Sequence, residues 1–379
     1  MPKVLGLKMA GKNPAIELIR IIACLLVIMA HSQVPVVDGS SIVNGRLAVS
    51  TIIADDVPLF LLVTGFFFFG RVKSDGDIFS AFKYKLKSFA VNIYVPTLIY
   101  IVIAIFFKYS IDPNVTSLAN ADWNYLERFI FRLAPGDHLW YICTYMSFVF
   151  FFPMLAFLCQ NDPQKNKMRR TLLFFAIGYA VVGDVLYFLR HPMLDLDKFL
   201  WGYCTIFLIL GYELSLFVPK FLSKVQKLPR LKLALVGAGI YLVGFAVKFG
   251  LQLYMFGQFN FVDNRFRWLQ CSPCFVTAVG LFLLIYAVGS LIKKDGKFAW
   301  VVNFVGSSTF MVYLFHQLAI MKTLQWRSDI WFKLDACKTV FDSFVFYLGY
   351  GLAVLAVTLP IAMVFKLAFD NSLGRILKK

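Results

Sequence analysis

The sequence has few charged residues for its length, and this scarcity excludes most soluble folds. Of its 379 residues, 16% are charged and 60% are hydrophobic, whereas a soluble globular domain averages about 25% charged and about 45–50% apolar residues. The mean hydropathy is +0.73, and apolar runs close to the roughly 20 residues that cross a bilayer recur along the chain. The alternating strands of about 10 residues that mark an outer-membrane barrel are missing. We therefore predict an all-α, polytopic integral membrane protein.

The sequence also shows no pattern typical of a disulfide framework, a metal site or a cleavable leader. Cys271-Ser-Pro-Cys274 is a lone C-x-x-C without a second pair of ligands, so we expect no bound metal. No small-residue cleavage site follows the first apolar run, so we expect no cleavable signal peptide. Among the seven cysteines, those within apolar runs are expected to act as small apolar residues: Cys24, Cys143, Cys204 and Cys274.

The formal net charge of +17 would suggest nucleic acid as the partner of a soluble chain. In a membrane protein it is better explained by the positive charge that collects in cytoplasmic loops, so we expect the lipid bilayer, and no nucleic acid, as a partner. The apolar runs predict about ten spans. They cover residues 15–36, 50–70, 88–108, 139–159, 171–189, 199–218, 231–252, 270–292, 300–321 and 340–366.

Every second loop is strongly basic, and this alternation predicts the topology. The loops after the odd spans differ from these: residues 109–138, 190–198 and 322–338 have mixed charge. The positive-inside rule therefore places both termini in the cytoplasm, with short tails at 1–14 and 368–379. The loops after the even spans and the tail carry Arg71, Lys73, Lys83, Lys85 and Lys87; Lys165, Lys167, Arg169 and Arg170; Lys220, Lys224, Lys227, Arg230 and Lys232; Lys293, Lys294 and Lys297; and Arg375, Lys378 and Lys379.

The first span, "NPAIELIRIIACLLVIMAHSQVP", contains three ionisable residues. Ionisable groups are costly in hydrocarbon and usually functional. Arg20 and His31 are eleven residues apart. On an α-helix, this spacing separates them by about 20° around the axis, so they share a face, and by about 16 Å along the axis. Glu17 lies one turn before Arg20 and can pair with it. With the N-terminus inside, Arg20 lies near the cytoplasmic face and His31 beyond the midplane.

The placement of Arg20 and His31 at two depths on one face suggests a substrate with an anionic head and a long arm. A histidine suits proton transfer near neutral pH, and an arginine can hold a phosphate or a carboxylate. Acyl-coenzyme A has this shape, although the residues alone do not select it over other anionic substrates. Two alternatives are a transporter or flippase that uses Arg20 and His31 as a substrate and proton relay, and an assembly protein of an export system without chemistry.

Four segments together resemble the membrane acyltransferase 3 family, in its glycan-modifying branch. The first is Glu17-Leu18-Ile19-Arg20 followed by ten residues and His31, similar to the family's acidic-x-x-Arg start and Arg-x10-His motif. The others are "VPLFLLVTGFFFFG", "HLWYICTYMSFVFFFP" and "STFMVYLFH", similar to the family's second span, fourth span and C-terminal motif. The resemblance implies one acyltransferase-3-type transmembrane domain over residues 1–379.

The resemblance also implies the chemistry. The family moves acyl groups from cytoplasmic acyl-CoA to acceptors outside, so we expect an acyltransferase of groups other than aminoacyl groups, in the inner membrane, with acetyl-CoA as the favoured donor and no bound cofactor. The expected acceptor is a polysaccharide or lipid-linked glycan hydroxyl. The resemblance makes His31 the catalytic residue and has Glu17 orient Arg20. The expected substrate-binding residues are Arg71, Lys83, Lys85, Lys87, His138, Trp140 and His316.

Overall fold

The structure, a computed structural model, is almost entirely helical. It describes residues 12–31, 36–38, 41–70, 72, 77–106, 137–189, 202–259, 271–322 and 337–378. Helices account for 87% of these residues. A short antiparallel pair of two-residue strands, β1 (Val37–Asp38) and β2 (Ser41–Ile42), follows the first helix. The predicted all-α class is confirmed.

The helices are numbered here in chain order over the described ranges. A π-helical segment, Ala90–Tyr94, joins α4 to α5, and a 3-10 turn, Asp137–Leu139, precedes α6. The helices are α1 (Pro14–His31), α2 (Asn44–Ile53), α3 (Asp56–Phe68), α4 (Ile78–Phe89), α5 (Val95–Phe106), α6 (Trp140–Phe150), α7 (Phe152–Leu158), α8 (Pro163–Phe188), α9 (Gly202–Lys224), α10 (Pro229–Phe259), α11 (Pro273–Gly289), α12 (Lys297–Gly306), α13 (Thr309–Lys322), α14 (Val340–Asn371) and α15 (Leu373–Lys378).

In the described part of the chain, seven helical segments are long and apolar enough to cross a membrane. Two bent helix pairs, α6 with α7 and α12 with α13, raise the number to nine, and α11 is a shorter apolar helix. These findings confirm a multi-pass membrane protein. Each of the ten predicted spans overlaps one of these helices or pairs, while the number ten and the cytoplasmic termini stay predictions. The seven segments are Pro14–His31, Asn44–Phe68, Ile78–Ala104, Pro163–Phe188, Gly202–Lys224, Pro229–Gln258 and Val340–Asn371.

The first of two compact units comprises Met1–Phe68, Leu172–Thr309 and Gln325–Leu355. Within it, α1 packs against α2, α3, α11 and α12, so four helices surround the helix that carries Glu17, Arg20 and His31. Two glycines let α3 and α9 approach closely: a Cβ on Gly65 would overlap the backbone of Leu208, and one on Gly211 would overlap the backbone of Leu62. Such small residues are the usual means by which membrane helices pack.

The second unit comprises Phe69–Thr171, Phe310–Leu324 and Ala356–Lys379. Here α4 packs against α6 and α7, which meet at an angle of 67°. Pro153 lies in the first turn of α7, where a proline starts a new helix well because its missing N–H is not needed there. The stacked rings of Phe69 and Phe152, 6.0 Å apart, fill part of this unit's core. The prediction of a single domain over residues 1–379 stays a prediction.

Candidate active site

The first helix presents the three predicted residues of the site in one continuous element. Because α1 runs from Pro14 to His31 without interruption, the helical period applies, and Arg20 and His31 lie near one face, about 16 Å apart along the axis. His31 is the last helical residue and is half-buried. Cys24 and Val27, on the face between them, are buried, and the Cys24 Sγ lies 3.9 Å from the carbonyl oxygen of Thr309 in the same unit.

Glu17 and Arg20 form an ion pair one turn apart. The Arg20 Nη1 donates to the Glu17 Oε1 at 3.0 Å. The Glu17 side chain is 6% exposed and the Arg20 side chain is 34% exposed. The buried carboxylate therefore anchors a cation that still reaches an accessible surface. Such a charge-assisted bond restricts the guanidinium while leaving most of its N–H donors available to a ligand.

Two further residues shape this pair. The Arg20 guanidinium carbon lies 5.9 Å from the centre of the Phe67 ring, near the end of α3. Gly306, at the end of α12, lies against Glu17 so closely that an added Cβ would approach the Glu17 Cβ to 2.6 Å. The second carboxylate oxygen, Glu17 Oε2, is buried and has no hydrogen-bond partner among the described residues. We call Glu17, Arg20, Phe67 and Gly306 the arginine cradle.

The second unit brings His138 and His316 together, although they lie far apart in the sequence. Their ring centroids are 5.2 Å apart, and both side chains are buried. The His138 Nε2 lies 3.3 Å from the carbonyl oxygen of Leu314, and the His316 Nδ1 lies 2.6 Å from that of Tyr313. A carbonyl oxygen can only accept, so each of these ring nitrogens carries the proton. In the neutral form, the other nitrogen of each ring holds a lone pair.

A comparison with protein families decides the class of this protein. A family model described as an acyltransferase domain, that of acyltransferase 3, matches residues 13–363. The chain belongs to the acyltransferase 3 family. No curated protein and no solved structure gives a significant match. The predicted family membership is confirmed, and the protein is a membrane acyltransferase.

The basic residues that we predicted for the donor's phosphates in this acyltransferase are not all on one surface. Lys83 and Lys87 are exposed and one turn apart on α4, whereas Lys85 is half-buried and about 200° around the helix from Lys83. One face of α4 therefore presents two lysines. Arg71 lies outside the described residues. Trp140, at the start of α6, is 37% exposed, and its ring is 6.4 Å from that of Tyr141.

The acyltransferase also contains a buried ion pair that the sequence analysis missed. The Lys248 Nζ donates to the Asp55 Oδ1 at 3.2 Å, and both side chains are 0% exposed. Thr277 also donates to this oxygen, at 2.5 Å, and Lys248 donates to the Thr51 carbonyl at the end of α2, at 3.3 Å. Lys248 lies in the apolar part of α10, well beyond Arg230 and Lys232 at the start of the helix. This isolated charge is the signal that could have revealed the pair, because it needs a partner.

Proposed function

We propose that this acyltransferase moves an acyl group from cytoplasmic acyl-CoA to a hydroxyl of a cell-surface or secreted polysaccharide. The observation that carries the proposal is the arrangement on α1, where the Glu17–Arg20 pair and His31 share one uninterrupted helix. An anion-binding group and a proton acceptor are thus separated by about 16 Å, which suits a donor with phosphates at one end and a thioester on a flexible arm.

In this proposal, Arg20 binds the phosphates of acyl-CoA and Glu17 orients Arg20. A guanidinium suits phosphate because its N–H donors match the phosphate oxygens. Lys83 and Lys87, which share the exposed face of α4, are proposed as further donors to the phosphates. The roles predicted for Arg71 and Lys85 stay predictions. The partly exposed Arg20 side chain supports the role of Arg20, because a ligand has access to it.

His31 is the proposed base. It takes the proton of the acceptor hydroxyl as the oxygen attacks the thioester carbonyl; the carbon–sulfur bond then breaks, and the proton is returned to the departing CoA thiolate. Alternatively, the His31 ring attacks the thioester and carries the acyl group before the hydroxyl receives it. His138, Trp140 and His316 are proposed to contact the acceptor or to handle a second proton.

Acetyl is the proposed acyl group, and the inner membrane is the proposed location. The acceptor is a hydroxyl of a polysaccharide or of its lipid-linked precursor. This assignment is supported by the "HLWYICTYMSFVFFFP" segment, which resembles the family's glycan-modifying branch.

The test measures the loss of acetyl-CoA and the gain of glycan esters in membranes that contain the wild type or His31→Ala. We expect the wild type to consume the thioester and to yield ester-linked acetyl on surface glycans, and His31→Ala to do neither. Gly349→Ala serves as the matched control, because a Cβ at Gly349 meets nothing within 4 Å. If the wild type leaves the thioester intact with every glycan acceptor supplied, and a solute moves across the membrane, the result would favour the transporter alternative.

A further inference from the structure

The guanidinium of Arg20 is supported on two sides by different kinds of contact. Glu17 holds one nitrogen by an ion pair of 3.0 Å. The face of the Phe67 ring lies 5.9 Å from the guanidinium carbon, within the distance of about 6 Å at which a cation and an aromatic ring attract each other. Phe67 lies within the second-span segment "VPLFLLVTGFFFFG", but the resemblance assigns it no role, so its role is inferred from this contact.

The Phe67 ring contacts a second aromatic ring. Its neighbour Phe66 contacts it edge-on, with ring centroids 5.2 Å apart, and Phe66 in turn packs against Phe282 at 5.8 Å. Gly65 allows α3, which carries Phe67, to pack closely on α9. Phe67 is nevertheless 46% exposed. A half-exposed aromatic side chain beside a charged group can orient that group and still leave it open to a ligand.

We propose that Phe67 is a positioning residue, which holds the Arg20 guanidinium through a cation–π contact where it binds the phosphate end of the acyl-CoA donor. The inference rests on the proposed function. A ring is suited to this task because it restricts the guanidinium without occupying the N–H donors that the phosphate needs. A second carboxylate in its place would compete with the phosphate for those donors.

The experiment compares Phe67→Leu with Phe67→Trp on two donors, acetyl-CoA and acetyl-pantetheine, which lacks the nucleotide and its phosphates. We expect Phe67→Leu, which keeps apolar volume but removes the ring, to raise the KM for acetyl-CoA by about 2- to 30-fold, the range that corresponds to measured cation–π energies. The kcat and the KM for acetyl-pantetheine should stay unchanged. Phe67→Trp should keep the KM for acetyl-CoA near that of the wild type.

Phe341→Leu is the matched control, since Phe341 is 74% exposed in the same unit, and it should alter neither KM. An unchanged KM for acetyl-CoA in Phe67→Leu overturns the role of Phe67 and leaves the proposed function intact. The proposed role is also overturned if Phe67→Leu raises the KM equally for both donors, or if Phe67→Leu and Phe67→Trp have equal effects. Phe67 would then be a packing residue. If the wild type consumes neither donor and titrated CoA does not bind it, the proposed function fails and takes this inference with it.

Discussion

The Lys248 ammonium and the Asp55 carboxylate form an ion pair of 3.2 Å in which both side chains are completely buried. The pair lies at the junction of α2 and α3. Lys248 also donates to the carbonyl of Thr51, near the negative end of the α2 dipole, while Asp55 precedes the positive end of the α3 dipole. The two charges therefore stabilise two helix ends that meet inside the protein.

We expect Lys248→Met to destabilise the protein strongly, because it leaves Asp55 as an unpaired buried charge. Breaking a buried pair on one side costs about 3–5 kcal/mol. The double variant Asp55→Leu/Lys248→Met should recover most of the loss, since it removes both charges. The measurement is the midpoint of thermal unfolding in detergent for both single variants and the double variant. Additive losses in the double variant would show that the two residues do not act as a pair.

Gly306→Ala is expected to disturb the arginine cradle. The new methyl group would approach the Glu17 Cβ to 2.6 Å, so Glu17 must shift and Arg20 with it. Overpacking of this kind costs about 1–3 kcal/mol, and we expect a raised KM for acyl-CoA in addition. Thermal unfolding and steady-state kinetics measure the two effects. The control is Gly239→Ala in α10, where a Cβ meets nothing within 4 Å; equal behaviour of the two variants would refute the predicted overlap.

Arg20→Lys should retain the positive charge but lose the planar set of donors that suits phosphate. We expect the KM for acyl-CoA to rise about 10-fold, equivalent to about 1.4 kcal/mol, with little change in the choice of acceptor. Arg20→Ala should raise it further. Binding of CoA by titration and transfer to several acceptors provide the measurements. Arg230→Ala, which removes an exposed arginine of the same unit, is the control, and altered acceptor choice with normal CoA binding would contradict the role of Arg20.

The start of α4 should depend on pH through Asp77. Its carboxylate accepts from the Ser80 hydroxyl at 2.8 Å and from the Phe79 and Ser80 amides at 3.1 and 3.0 Å, and these bonds hold the pKa of Asp77 below its usual value. A lowered pKa in the folded state means that the stabilisation is present above the unfolded pKa of about 3.9 and is lost as the pH falls through the folded pKa.

Hydrogen exchange of the amides in the first turn of α4 tests this dependence. The wild type should be protected at neutral pH and lose protection in acid. Asp77→Ala should lack the protection at both pH values because its side chain cannot cap the helix, and Asp77→Asn should keep it without the acid-dependent loss. The same exchange rates in Asp77→Ala and the wild type at neutral pH would rule out the cap.

The spacing within α1 could be predicted from the sequence because a helix has one period. The helical period is sufficient to place Glu17, Arg20 and His31 on one helix. It also predicts the Glu17–Arg20 ion pair that the structure shows. The contacts of Arg20 and Glu17 with other helices could not be predicted in this way. Phe67 and Gly306 reach the pair only through the packing of α3 and α12 on α1, which no local pattern specifies.

The lysines of α4 show that residues close together in the sequence can lie on different sides of a helix. As a basic cluster in the sequence, Lys83, Lys85 and Lys87 suggested one phosphate-binding surface. The helical period alone separates Lys85 from the other two, and the structure shows it half-buried while they are exposed.

Hydropathy and helical spacing are local properties, so they suffice to predict a helical membrane protein with ionisable residues near one face of its first helix. Its motifs also pointed to the acyltransferase 3 family. The pairing of residues that are distant in the sequence depends on tertiary packing: Lys248 meets Asp55, His138 meets His316, and Arg20 meets Phe67. Each of these pairs is an ion pair, a ring contact or a cation–π contact between residues of different segments, and many arrangements of the same helices could in principle provide such contacts. The packing of the helices selects one of them.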